Sequence, residues 1–294
     1  MDPSPVPEPW VRQTVTLQPP IWLIACFLAL LATYGALAYP SWKHDRSLGE
    51  RVAQRVSPLG LPVVPCPAAS DRKRMVLLAL GQSNAGNHGA GGQFDNSAVT
   101  IAIDGKCIFA KDPLPGATGQ GGSIWQRLAV LLGQQDNQRE AVLAVFAVDA
   151  SSIDDWVRSG SPLRNSLEQQ LAYLRRLGLR PDAILWQQGE ADARAGATAA
   201  SYAEKLDALS NVLDELGMQG PVYLARSTVC RSPANEAIRA AISRKIDLGG
   251  RWKSGPDTDK LIGSELRFDD CHFSAKGLDA AARMWLTALA PGNG

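Results

Sequence analysis

From Arg74 to the C-terminus, short apolar runs alternate with longer segments of mixed polarity. The apolar runs predict strands at 75–80, 141–148, 183–186 and 222–226, with weaker ones near Ile101 and Ile108. The segments between them predict helices at 124–132, 162–177, 199–216, 234–246 and 275–289. Strands that are apolar throughout are buried on both faces, so this alternation indicates an α/β domain over 74–294 with a central parallel sheet covered on both sides.

Polar residues follow several of these strands. The stretches 149–156, 187–192 and 227–230 each come directly after a predicted strand, and Ser83 follows the strand at 75–80 after two residues. In sheets of this type, the functional loops gather at the carboxyl ends of the strands. We therefore expect a site at one edge of the sheet.

Composition narrows the class of protein. The chain carries 30 Lys and Arg against 29 Asp and Glu, and this balance argues against a nucleic-acid partner. Hydrophobic residues make up 45% of the 294, enough for a sizeable core. No two cysteines have the Cys-x-x-Cys spacing of zinc sites, so no metal is expected.

The N-terminal region differs from the rest of the chain. Residues 1–20 are rich in proline and are predicted to be disordered. Residues 21–39 carry no charge, and at about 1.5 Å per residue they span a bilayer core of about 30 Å. They predict one N-terminal transmembrane helix. Residues 40–73 mix charges with several prolines and predict an exposed linker.

The sequence offers alternatives for whether this membrane segment is cleaved and for the side of the membrane on which the domain lies. Ala36-Leu37-Ala38 fits a signal-peptide cleavage site, but the preceding tail lacks the usual positive charge, which favours an uncleaved anchor. More basic residues follow the segment than precede it, which by the positive-inside rule places the domain in the cytoplasm, although long translocated domains escape that rule. Four cysteines outside the segment favour an oxidising compartment instead, where three pairings into two disulfides are possible. The alternative is four buried free thiols.

Ser83 stands where the first predicted strand ends abruptly at Gly81. A serine at a strand-to-helix turn is held away from the sheet, within reach of a base and of backbone N–H groups. The alternative is a helix N-cap.

Asp269 and His272 are three residues apart just before the last predicted helix. This spacing lets the carboxylate hold one imidazole nitrogen while the other stays free to accept a proton. Asp270 is the alternative partner, but it is too close along the chain to bridge easily. The two ends of the domain thus offer a nucleophile and a base.

Three blocks of the sequence resemble those of the SGNH hydrolases, in particular the branch that includes sialate O-acetylesterases and acetyl-xylan esterases. They are Gly81-Gln82-Ser83-Asn84, Trp186-x-Gln188-Gly189-Glu190-x-Asp192 and Asp269-x-x-His272. The resemblance implies a flavodoxin-like three-layer α/β/α fold and removal of acetyl groups from sugar hydroxyls without metal or cofactor. It makes Ser83 the nucleophile, His272 the base and Asp269 its partner.

The resemblance also suggests the groups around the reacting centre. The oxyanion hole is expected from the N–H of Ser83, the N–H of Gly121 or Gly122, and the side chain of Gln188. Glu190 and Asp192 are expected to hold the loop that carries Gln188 by hydrogen bonds, although Glu190 can also be read as a charge at a helix N-terminus.

Further residues are assigned to the substrate or to support of the site. Gln82 and Asn84 flank the nucleophile, and Ala85-Gly86 follows where the branch commonly has Met-Ala-Gly. Ser152 and Trp156 lie in a stretch similar to another of the branch, and both are expected to line the cleft, with the tryptophan facing a sugar ring. The alternative for Trp156 is a tryptophan of the hydrophobic core.

The cysteines fit this arrangement. Cys271 adjoins His272 and Cys230 ends a neighbouring strand, so we predict a Cys230–Cys271 disulfide that braces the catalytic loop. We also predict a Cys66–Cys107 disulfide that joins the linker to the domain.

The favoured function is that of a monomeric, membrane-tethered carbohydrate O-acetylesterase, with its domain on the extracytoplasmic (periplasmic) side and an acetylated glycan as its partner. The alternatives are a lipid or aryl esterase, an acetyltransferase, or an inactive glycan-binding scaffold protein.

Overall fold

The computed structural model describes residues 21–68, 74–91, 98–135 and 140–290. The described residues divide between two units, with the boundary between His44 and Asp45. The predicted disordered tail at 1–20 lies outside the described residues. The first helix, α1, runs from Ile21 to Ala53. No helix within the described ranges is both long and apolar enough to cross a membrane, and the anchor at 21–39 stays a prediction.

The second unit contains one sheet of eight strands in the order β1-β4-β3-β5-β2-β6-β7-β8. The strands are β1 Val63–Val64, β2 Arg74–Gly81, β3 Val99–Ile103, β4 Lys106–Ala110, β5 Glu140–Ala147, β6 Ala183–Gln187, β7 Val222–Arg226 and β8 Trp252–Asp257. The six from β3 to β8 in this order are parallel. The apolar runs predict this arrangement for all of them except β8, which the sequence analysis missed.

The edge formed by β4 and β1 differs from the expected parallel sheet. β4 is antiparallel to β3, and β1 is antiparallel to β4. Asp104 and Gly105 join β3 to β4, and both have positive φ, of 48° and 76°. A two-residue Asp-Gly loop of this kind reverses the chain into a hairpin because its twist matches that of the strands. The hairpin makes the sheet mixed.

Helices cover both faces of the sheet. They are α2 Ile124–Gly133, α3 Ile153–Val157, α4 Pro162–Arg176, α5 Glu190–Arg194, α6 Ala199–Glu215, α7 Glu236–Leu248 and α8 Ala275–Ala288. Along β2, Leu78 packs into the core shared with α4, α6 and α7, whereas Leu77 packs into the core shared with α2 and α8. Successive side chains of a strand point to opposite faces, so these two cores make the fold a three-layer α/β/α arrangement.

The prediction of an exposed linker over 40–73 is wrong for residues 45–68. Leu48 of α1 is completely buried in the core that contains α4 and α6. β1 extends the sheet, and Cys66 forms a disulfide with Cys107 in β4. Apolar residues and a covalent link therefore integrate this segment into the domain. Residues 69–73 lie outside the described part of the chain.

The end of β2 is fitted closely against β6. Gly81 has a φ of 151°, and a Cβ atom built there would lie 2.1 Å from the carbonyl oxygen of Gln187. Only glycine allows this approach. The next residue, Gln82, donates its backbone N–H to the same carbonyl oxygen at 3.3 Å. The chain is thus held at the carboxyl end of the sheet where Ser83 follows.

Candidate active site

Ser83 opens a short 3₁₀ turn, Ser83–Ala85, directly after β2. It is 6% exposed and lines a pocket of about 130 Å³. His272, from the loop before α8, lines the same pocket. The remaining lining residues are Gln82, His88, Asp149, Ala150, Arg194, Cys230, Arg231 and Cys271. Residues that are 189 positions apart in sequence, Ser83 and His272, therefore share one small cavity.

Asp269 makes two hydrogen bonds to His272 and a third to the neighbouring Cys271. Its Oδ2 atom lies 2.8 Å from Nδ1 of the His272 ring. Its Oδ1 atom accepts the backbone N–H of His272 at 2.6 Å and that of Cys271 at 3.0 Å. With Nδ1 directed at a carboxylate, the neutral ring carries its proton there and leaves Nε2 as an acceptor.

The ionisation of Asp269 suits this role. Partial burial alone would raise its pKa, but the hydrogen bonds from the backbone and ring of His272, together with the charge of that ring, lower the pKa to about 2. Asp269 is therefore a carboxylate at any pH above this value. Asp270 is exposed, with a φ of 60°, and its carbonyl oxygen accepts the N–H of Arg231. Of the two carboxylates, Asp269 is the one that contacts the imidazole.

Asn84 connects the serine turn to the histidine loop. Its Nδ2 group donates to Glu190 Oε1 at 2.7 Å and to the carbonyl oxygen of Cys271 at 3.2 Å. Glu190 Oε1 also accepts the hydroxyl of Ser227 at 2.7 Å. Arg267 donates to the same Cys271 carbonyl. This buried network joins the carboxyl ends of β2, β6 and β7 to the loop that carries His272.

Glu190 is the buried acid of this network. It is 0% exposed, and its Oε2 atom has no hydrogen-bond partner among the described residues. Burial raises its pKa to about 7, against the opposing effect of the hydrogen bonds from Asn84 and Ser227. The protonated form is therefore favoured in the folded state between pH 4.5 and about 7, and stability falls as the pH rises through this window.

We expect Glu190→Gln to flatten this part of the pH dependence. A shift from 4.5 to about 7 corresponds to about 3 kcal/mol of unfolding free energy, which wild type loses across the window and the amide does not. Urea denaturation at a series of pH values from 4 to 9 measures both proteins. Parallel stability curves would show that Glu190 does not titrate in this range.

The structure contradicts the expected role of Gln188 in the oxyanion hole. Its side chain is fully buried, and Nε2 donates to the carbonyl oxygen of Ser151 at 3.0 Å, to Asp192 Oδ2 at 2.5 Å and to Gln82 Oε1 at 3.3 Å. Its Oε1 atom accepts the hydroxyl of Tyr202 at 2.9 Å. These partners occupy the hydrogen-bond donors of the Gln188 amide, so none is left for an oxyanion.

Gly121 and Gly122 are also unsuited to the role of oxyanion donor. Their N–H groups donate to the carbonyl oxygens of Asn87 and Gly89, at 2.7 and 3.1 Å. Gly119 precedes them in the same loop and has a φ of 94°. Within the described ranges, its N–H donates no hydrogen bond, and the same holds for the N–H of Ser83. A sequence match to a glycine-rich loop could not decide which glycine keeps its N–H free.

The expectation that Ser152 and Trp156 line the cleft is wrong. Trp156 is completely buried and packs edge to face against Phe146 and Trp186. Ser152 precedes α3, and its hydroxyl donates to Asp155 at 3.0 Å. Trp156 is therefore part of the hydrophobic core, and Ser152 stabilises the start of α3.

Asp192 lies close to this stretch. Its Oδ2 atom accepts the N–H of Ile153 at 3.0 Å as well as the amide of Gln188. Burial raises its pKa. Asp192 thus ties the start of α5 to the start of α3.

His88 is a pocket residue that the sequence analysis missed. Its ring stacks on that of His272, with 5.4 Å between centroids, and its Nε2 lies 3.1 Å from the Thr118 hydroxyl. Burial and then the charge of His272 lower its pKa, and Asp149 and Asp269 oppose this. The feature of the sequence that could have indicated His88 as a pocket residue is its position five residues after Ser83.

Arg194 and Arg231 also line the pocket without having been predicted, and so does Asp149, which begins the stretch 149–156 but was given no role of its own. Arg231 Nη2 lies 3.3 Å from Asp269 Oδ2. Asp149 and Arg231 lie in loops after strands, whereas Arg194 ends the short helix α5, and such positions alone do not say which side chains converge.

Both predicted disulfides are present. Cys230–Cys271 joins the loop after β7 to the histidine loop, and Cys66–Cys107 joins the segment after β1 to β4. Each spans 41 residues of sequence. In the chain-entropy estimate, loops of equal length give equal stabilisation, here about 4 kcal/mol for each bond.

Replacing either pair of cysteines with alanine is therefore expected to reduce the unfolding free energy to a similar extent, measurable by urea denaturation. Only the loss of Cys230–Cys271 should also lower kcat, by roughly tenfold to a hundredfold, because it frees the loop that positions His272. The Cys66→Ala/Cys107→Ala variant is the matched control, assayed where both variants are folded. Equal kcat in the two would show that the bond does not position the histidine.

The sequence of this domain also matches a known protein family. The family model described as carbohydrate esterase, sialic acid-specific acetylesterase matches residues 73–290, which is well over half of the chain. The chain belongs to this carbohydrate esterase family. It is accordingly an esterase, and the resemblance to the carbohydrate esterase branch of the SGNH hydrolases is confirmed. A comparison with curated proteins gave no match.

Solved structures similar to this carbohydrate esterase include a protein from Arabidopsis thaliana, with a TM-score of 0.57 and 18% identity over 76% of this chain and 99% of that one. A protein described as a putative GDSL-like lipase from Parabacteroides merdae has a TM-score of 0.51 and 17% identity, over 76% and 98% of the two chains. At these identities the likeness concerns the fold alone.

Proposed function

We propose that the protein is a serine-dependent carbohydrate O-acetylesterase that removes acetyl groups from a glycan through an acyl-enzyme intermediate. The observation that carries the proposal is the placement of Ser83 and His272 in one pocket, with Nδ1 of His272 held by Asp269 at 2.8 Å. Membership of a carbohydrate esterase family supports the same chemistry.

The steps follow from the roles of these groups. His272 Nε2 accepts the proton of the Ser83 hydroxyl as Oγ attacks the ester carbonyl, and the imidazolium that forms is stabilised by the Asp269 carboxylate. The sugar alkoxide leaves with that proton, and acetyl remains on Ser83. Water, deprotonated by the same imidazole, then releases acetate and restores the serine.

Backbone donors are proposed to stabilise the oxyanion. The N–H groups of Ser83 and Gly119 make no other hydrogen bond among the described residues, which leaves them available for this role. Each well-placed donor contributes about 3 kcal/mol to lowering the barrier.

The size of the pocket favours a short acyl group. A volume of about 130 Å³ is small beside the roughly 300–1,000 Å³ of sites that enclose a whole ligand. This observation argues for acetyl esters rather than the long acyl esters of a lipid esterase.

The test compares hydrolysis of p-nitrophenyl acetate with that of p-nitrophenyl octanoate, and measures acetate released from acetylated glycans. We expect activity on acetyl esters to dominate, and a fluorophosphonate probe to add covalently to Ser83 in mass spectra of the inhibited enzyme. Preference for octanoate would favour the lipid-esterase alternative. Hydrolysis without labelling of Ser83 would exclude the serine mechanism.

The domain is proposed to act on the extracytoplasmic side of a membrane, tethered by the segment at 21–39. Two disulfides support this location because such bonds persist in oxidising compartments. Thiol alkylation of natively produced protein tests it, and four alkylatable cysteines in the domain would contradict it.

A further inference from the structure

A second and larger cavity lies beside the catalytic pocket. Its volume is about 540 Å³, and it is formed by residues of the loop after β7 and of the loop before α8. Arg231 lines both cavities. Cys230 and Cys271 line the catalytic pocket, whereas Val229, next to Cys230, lines the larger cavity. The Cys230–Cys271 disulfide therefore lies at the boundary between the two.

The walls of the larger cavity combine apolar and polar groups. Pro233, Ala234 and the exposed side chain of Ile262 provide apolar surface. The Arg231 side chain is 68% exposed, and Ser232 is exposed as well. Sugar rings present C–H faces that pack on apolar side chains, and hydroxyl groups that accept hydrogen bonds from a guanidinium.

Two buried charges near this cavity are already satisfied. The Asp259 carboxylate accepts the N–H groups of Thr228 and Val229, at 2.6 and 2.8 Å, and pairs with Arg239 at 3.0 Å. Arg267 donates to the carbonyl oxygens of Leu261 and Thr258, at 2.7 and 3.0 Å. The cavity therefore offers no unpaired buried charge from these two residues, which suits a neutral, hydroxyl-rich ligand.

We propose that this cavity is a subsite for the sugar residues adjacent to the acetylated one. The inference rests on the proposed function and extends it to a substrate of more than one sugar unit. The catalytic pocket alone has room for an acetyl group but not for a glycan, whereas about 540 Å³ lies within the range of pockets that enclose small ligands. Continuity through Arg231 gives one chain access to both cavities. An acyl chain is the competing occupant, and the exposed guanidinium disfavours it.

Two variants test the subsite. Ser232→Trp fills the cavity, and Ile262→Asp replaces apolar wall with charge. The substrates are p-nitrophenyl acetate, p-nitrophenyl octanoate and whichever of acetylated xylotetraose, acetylated chitotetraose and acetylated sialyllactose wild type hydrolyses best. We expect kcat/KM for the oligosaccharide to fall by about tenfold or more, mainly through KM, and p-nitrophenyl acetate hydrolysis to stay within about twofold.

The matched control is Leu59→Trp, which places the same ring at a residue that is 83% exposed in a different cavity. An equal loss on oligosaccharide and p-nitrophenyl acetate, or no loss on either, would overturn the subsite. A loss confined to the octanoate would assign the cavity to an acyl chain instead.

A binding measurement distinguishes failure of the proposed esterase function from failure of the proposed subsite. If wild type has no Ser83-dependent esterase activity, that function falls, and the subsite is then tested by calorimetry with the unacetylated oligosaccharides and the Ser83→Ala protein. We expect binding that Ser232→Trp weakens about tenfold or more and Leu59→Trp does not. Absence of binding, or equal binding by all three proteins, would overturn the subsite on its own.

Discussion

Ser83→Ala is expected to lower kcat for p-nitrophenyl acetate by about a thousandfold or more, because no other group in the pocket replaces the nucleophile that forms the acyl-enzyme. The change removes one oxygen from a residue that is 6% exposed. The turn that carries Ser83 is held by backbone bonds from Ala85 to Gln82 and from Gly86 to Ser83, which the substitution leaves in place. KM should change little by comparison.

The control for this variant is Ser264→Ala, which removes a hydroxyl from an exposed loop residue and should leave kcat unchanged. Urea denaturation of both variants checks that each is folded. Rapid-quench mass spectrometry adds a direct readout, since wild type should show an acetylated peptide that contains Ser83 and the alanine variant should not. A folded Ser83→Ala protein with kcat near that of wild type would exclude the proposed nucleophile.

The parts of the fold that the sequence predicts are those in which local pattern and tertiary structure agree. The central strands are buried on both faces, so their residues are apolar throughout and stand out in the sequence. β8 was missed because it reads Trp-Lys-Ser-Gly-Pro-Asp. It is an edge strand, where proline is tolerated, and a Cβ atom at Gly255 would lie 2.7 Å from the backbone of Leu224. Gly255 thus lets β8 pack closely against β7, and the spacing of apolar residues in the sequence does not indicate such a contact.

In the candidate site, too, local contacts were predicted from the sequence and long-range contacts were not. Asp269 and His272 interact across three residues of one loop, so their spacing was sufficient to predict their contact. The role of Gln188 depends on Ser151 and Tyr202, which lie outside its sequence block and which only the folded chain brings to its amide. Long-range convergence of this kind cannot be read from one block of sequence.

Asp269→Asn is expected to lower kcat by roughly a thousandfold to ten-thousandfold. The Asp269 Oδ1 atom accepts two backbone N–H groups, so the asparagine oxygen should keep that position and turn its NH₂ group towards Nδ1 of His272. A donor at that point makes Nδ1 an acceptor and places the ring proton on Nε2. His272 then cannot accept the proton of Ser83, although the loop keeps its shape.

Asp270→Asn makes the same chemical change one residue along the chain and decides between the two carboxylates. Its φ of 60° suits asparagine, and its side chain does not contact the imidazole, so hydrolysis of p-nitrophenyl acetate should stay within about twofold of wild type. NMR of the ring nitrogens of His272 should show the tautomer change in Asp269→Asn alone. If Asp270→Asn were instead the inactive variant, Asp270 would be the orienting residue and the arrangement at 2.8 Å would be incidental to catalysis.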